Sequence, residues 1–88
     1  MARLEMPMNV EMESAIESGS VDALFELGKM YAAGREVGAN LVIAHKWFNL
    51  AALKGNRAAL TYRKEIASEM SKIEISVAQK LAREWLKK

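Results

Sequence analysis

Apolar and polar positions alternate along this chain with the period of a helix. In "VDALFELGKMYAAG" Ala23, Leu27 and Tyr31 stand four residues apart and share one face, while Asp22, Glu26 and Lys29 fall elsewhere around the wheel. Neither an Asn-Gly hairpin nor a sustained period-two alternation occurs, so strands find no support and the chain reads as all-helical. Capping residues and glycines divide it into five helices. The first spans about Asn9 to Ser18 and stops at Gly19. The second opens on Ser20 and runs to about Ala33, before Gly34. A third follows Asn40 and ends before Gly55, and a fourth follows Asn56 to about Met70. Ser71 and Glu74 form a capping box for the fifth, with Met70 and Ile75 placed as a hydrophobic staple, and this helix continues to the C-terminus. The short connections predict that consecutive helices pack as antiparallel hairpins.

Self-comparison suggests a repeat. Ala15, Gly19, Ala23 and Leu24 recur as Ala51, Gly55, Ala59 and Leu60, an offset of 36 residues. "AHKW" at Ala44 to Trp47 recurs as "AREW" at Ala82 to Trp85, an offset of 38, which two extra residues in one connection would explain. A period in the mid-thirties built from two helices is the signature of an α-solenoid. In such a stack Gly28, Ala44, Ala51 and Ala52 are small because helices approach closely there, and Leu27, Tyr31, Trp47 and Phe48 fill the space between them.

From Ala23 to Asn56 the chain resembles one complete Sel-one-like repeat (SLR), a relative of the tetratricopeptide repeat that is common in bacteria. Ala23, Leu27, Gly28, Tyr31, Gly34 and Val37 match the first half of the family pattern, and Ala44, Trp47, Ala51, Ala52 and Gly55 match the second. Glu36 stands where the family has a second glycine, Asn40 replaces an aspartate while keeping its capping role, and Ile43 replaces a lysine. The resemblance implies an all-α fold, a short α-solenoid of about five antiparallel helices, or roughly two and a half helix pairs. It divides the chain into a flexible N-terminus at 1–8 and a single repeat domain at 9–88. The clearest repeat is 20–56, and 57–88 form a degenerate capping repeat in which Arg63 and Lys64 replace leucine and glycine, as suits the end of a stack.

Composition narrows the chemistry. The 88 residues carry a net charge of +2, are 51% hydrophobic and 27% charged, and include no cysteine, which removes disulfides, thiolate metal sites and a cysteine nucleophile. A reducing cytoplasm fits this usage, and no apolar run is long enough for a secretory core or a membrane span. His45 is the single histidine and reads as a partly exposed helical residue rather than a zinc ligand. Serines lack a plausible base and no phosphate-binding glycine loop is present, so the chain is expected to be non-enzymatic and to hold no cofactor.

Binding is the expected activity. By resemblance to tetratricopeptide repeats, the first helix of each pair lines a concave surface that captures a peptide or partner helix, in a signalling or complex-assembly role. Its candidate contacts are Asp22, Phe25, Glu26, Lys29 and Ala32, with Ala58, Thr61, Tyr62, Glu65 and Ser68 one period later. Phe25 serves either as an exposed anchor for a partner or as ordinary core. A second reading uses the last helix, where Lys72, Ser76, Lys80, Arg83 and Lys87 share one side, with Arg57, Arg63 and Lys64 placed to lie near it. That stripe would meet RNA, an acidic protein or anionic lipid, although nucleic acid is poorly supported without interleaved aromatics. Met6, Met8 and Met12 suit core packing or a dimer contact, so self-association is a further expectation.

Overall fold

The computed structural model describes residues 20–34 and 38–87, which form four helices and no strand. These are α1 (Val21–Ala33), α2 (Leu41–Leu53), α3 (Arg57–Ala67) and α4 (Lys72–Leu86). The helix expected at Asn9 to Ser18, the methionine cluster, and Glu36 and Val37 lie outside the described residues.

Each helix starts where a side-chain oxygen accepts an otherwise orphaned backbone N–H. Ser20, Asn40 and Asn56 accept from the amides of Ala23, Ile43 and Ala59. Ser71 accepts from Glu74 at 3.0 Å while the Glu74 carboxylate accepts from the Ser71 amide at 2.8 Å, completing the capping box. Gly34 ends α1 in the left-handed region at φ 74°, where a Cβ would be strained. Helix α3 stops at Ala67, three residues before the expected Met70.

Helix α2 is the hub of the fold, packing against α1, α3 and α4. Ala44, Trp47, Phe48, Leu50 and Ala51 are all buried, so it presents apolar surface around most of its circumference. Phe48 lies over Gly28 of α1, where a Cβ would collide with the ring. Leu24, Leu27, Met30 and Tyr31 complete the core from α1.

The expectation that consecutive helices pair throughout fails at the last pair. α4 packs on α2 and makes little contact with its chain neighbour α3. Its Ala78 and Ala82 are buried, and Trp85 meets Trp47 edge to face at 6.0 Å. The "AHKW/AREW" match is therefore not a repeat register: Ala44 is the fourth residue of α2 whereas Ala82 is the eleventh of α4. Helix starts are offset by 36 residues between α1 and α3 (57 less 21) but by 31 between α2 and α4 (72 less 41). The extra-residue explanation runs the wrong way, because the connection before α4 is shorter than the one before α2.

Candidate functional site

A groove of about 440 Å³ lies between α1 and α3, lined by Lys29, Ala32, Ala33, Tyr62, Glu65 and Ile66. Helical spacing produces it. Ala32 and Ala33 stand three and four residues beyond Lys29 on α1, and Glu65 and Ile66 stand three and four beyond Tyr62 on α3. Ala32 and Ala33 keep the α1 wall low, while Tyr62 and Ile66 supply apolar surface on the other side.

Three rings underlie this seam. Phe25 lies 5.9 Å from Phe48 and 5.2 Å from Tyr62, the latter edge to face, and Phe48 to Tyr62 is 5.3 Å. Such pairs contribute roughly 0.5–1.5 kcal/mol each beyond their buried area. Phe25 is half-buried and packed against the core, and it reaches the groove only through its contact with Tyr62, which lines it. Lys29 spans this ring with its ammonium 4.7 Å from the centroid and ion-pairs with Glu26 at 3.0 Å. Asp22, Glu26, Thr61 and Glu65 are exposed. Of the six principal contacts expected from the sequence, Lys29 and Glu65 line the groove. Ala33 and Ile66 join them unforeseen, each four residues beyond a recognised position, and a continued helical count would have found them.

Arg63 departs from its expected place. Its guanidinium donates to Asn49 Oδ1 of α2 at 2.6 Å, so it turns inward instead of joining the basic stripe of α4 or marking an exposed end of a stack. The sequence signal was only that a polar residue stood at a position taken by leucine one period earlier. His45 is also corrected: it is 3% exposed, because α2 is enclosed on several sides rather than one. Burial, and secondarily the Arg63 charge, lower its pKa from the ordinary histidine value. Among the described residues, neither His45 Nδ1 nor Trp47 Nε1 has a side-chain or backbone acceptor or donor within hydrogen-bonding geometry.

On α4, Lys72, Ser76, Lys80, Arg83 and Lys87 are all exposed. Two apolar side chains adjoin them, Ile73 at 75% and Val77 at 44% exposure. Among the described residues no group of three or more His, Asp or Glu side chains could hold a metal ion, and no helix is long and apolar enough to cross a membrane. Compared with protein-family models, curated proteins and solved structures, the chain matches none.

Proposed function

We propose that this chain is a non-enzymatic adaptor of SLR type, a short α-solenoid of about five helices that captures a peptide or partner helix between α1 and α3. The observation that carries this reading is the open groove with a partly apolar lining, set on a three-ring seam. An amphipathic helix laid along two parallel ridges buries its apolar stripe between them and exchanges polar contacts at the rim. The 36-residue spacing of α1 and α3, with capping oxygens and buried alanines at equivalent positions, supports a repeat origin for the two walls. The divergent placement of α4 suits a terminal pair. The SLR resemblance adds a bacterial setting and a role in assembling signalling or other complexes.

The alternative reading, an RNA-binding or acidic-surface-binding stripe on α4, draws on four exposed cations. Ile73 and Val77 beside them favour a protein surface over RNA, since single-stranded RNA is held through aromatic stacking, which aliphatic side chains do not supply.

Peptide display against the folded chain tests the groove. Phe25 is unsuitable for substitution because its ring supports Phe48 and Tyr62. Ala33→Arg fills the groove from an exposed position, and Lys29→Glu reverses a rim charge. Peptides enriched on the wild type should bind Ala33→Arg at least about tenfold more weakly, a loss of roughly 1.4 kcal/mol, with its thermal melt unchanged. Selected peptides that bind both proteins equally would overturn the site.

A further inference from the structure

We infer that α3 is an acid-released wall: a proton taken up by His45 undocks it from α2, while α1 and α2 stay together. Its bearing on peptide capture rests on the groove reading above, but the release itself does not.

His45 lies in the seam between α2 and α3. On α2 it shares a face with Asn49 and Ala52, four and seven residues on, and Asn49 accepts from the Arg63 guanidinium of α3 at 2.6 Å. The imidazole is 3% exposed, and its Nδ1 has no partner among the described residues. A neutral ring suits this place and an imidazolium does not, because both its N–H groups need acceptors and a buried charge without them is costly. The other described elements turn neutral side chains to this core. α1 supplies Leu24, Leu27, Met30 and Tyr31, whose phenol is held above its ordinary pKa by burial, and α4 supplies Ala78, Ala82 and Trp85. The charge that bears on His45 is thus the cation of Arg63, which adds to burial in resisting the proton.

That proton would strike the most weakly held wall. α3 fully buries Ala59 alone, whereas α1 and α2 bury six residues each. Its further hold on the core comes from partly buried Ile66, from Tyr62 against Phe48 at 5.3 Å and from the Arg63 hydrogen bond. α4 keeps a separate attachment, with Trp85 on Trp47 at 6.0 Å. Gly55, at φ 108° with open space around it, offers a pivot just before α3. The element with the fewest buried side chains opens at the least cost. Its release would take Tyr62, Glu65 and Ile66 out of the groove and give His45 access to water.

Amide exchange mapped by segment on the free chain reads this directly. The released form binds the proton with the ordinary histidine pKa near 6.5 and the docked form resists it, so release gains as pH falls, by up to about tenfold between about pH 7.5 and about pH 5.5. α3 should exchange as a unit, less protected than α1 and α2 at both pH values, and its protection should fall severalfold on acidification once corrected for intrinsic rates. His45→Gln, which cannot titrate, should abolish that fall. The wild-type imidazole NMR signal gives a second reading that needs no variant: while α3 is docked it should titrate below the ordinary histidine range. Protection of α3 equal to that of α1 and α2 would mean that His45 is reached only when the whole chain unfolds, and would overturn the proposal. A response of α3 that is absent, or that persists in His45→Gln, overturns it too, as does an imidazole titrating at about 6.5 with α3 still protected. Release without any peptide captured by the groove overturns the groove reading alone.

Discussion

Two single residues show how local contacts decide outcomes that propensity alone would misjudge. Gly28 lies mid-helix, where alanine is normally better by about 1 kcal/mol. Here a methyl would fall on the Phe48 ring, which is fully buried and has no room to yield. Overpacking of this kind costs about 1–3 kcal/mol, so Gly28→Ala should destabilise despite its helix propensity; a chemical melt with a raised midpoint would contradict the close approach. His45 makes the second case. Its folded pKa is lowered, first by burial and then by Arg63, so below the ordinary value near 6.5 the unfolded chain binds a proton that the folded chain resists. Stability is therefore full above about pH 6.5 and falls as pH drops from there towards the folded pKa. His45→Leu should flatten this portion of the stability profile relative to wild type, and identical profiles from melts between about pH 5 and 7 would remove His45 as the cause.

At the scale of elements, the helices and their starts were legible because capping is written locally. Ser20, Asn40, Asn56 and Ser71 each precede their helix and each accept from an amide three residues on. Part of the α1 wall of the groove was legible for the same reason, since Lys29 and Ala32 follow from one helical count, whereas Ala33 beside them was missed. Which helix meets which was not legible. Periodicity marks the apolar face of α4 but does not name its neighbour, and two similar four-residue strings were read as a register when their tryptophans touch each other. His45 was misplaced because burial was judged from one face of a helix that three others surround. The dependence of α4 on α2 has a measurable consequence. Beyond Trp85, its buried side chains are the small Ala78 and Ala82, and an isolated 15-residue helix is marginal in water. Trp85→Ala should let α4 exchange its amide hydrogens much faster while α1 to α3 keep most of their protection. Protection lost uniformly over all four helices would show that α4 is not a separable unit.

For the molecule as a whole, the hub position of α2 determines how damage spreads. Trp47 and Phe48 are adjacent in sequence but serve different neighbours: Trp47 meets Trp85 of α4, and Phe48 meets Phe25 of α1 and Tyr62 of α3. Trp47 nevertheless belongs to the same buried cluster as Leu24, Leu27 and Tyr31 of α1 and Ala59 of α3, so loss of its side chain opens a cavity in the shared core and not only at the α4 contact. The ring is 4% exposed, so Trp47→Ala should cost on the order of 3–5 kcal/mol. At roughly 0.05–0.15 kcal/mol per residue, a chain of this length has a total stability of about 4–13 kcal/mol. The two tryptophans should therefore behave differently although they touch. Trp85→Ala releases one end, whereas Trp47→Ala lowers the denaturant midpoint of the entire chain and accelerates exchange in α1, α2 and α3 together. The comparison needs only the two alanine variants, a denaturant melt and exchange mapped by segment. Should Trp47→Ala free α4 alone and spare the rest, α2 would be two independent faces rather than a hub, and the core would divide between Trp47 and Phe48.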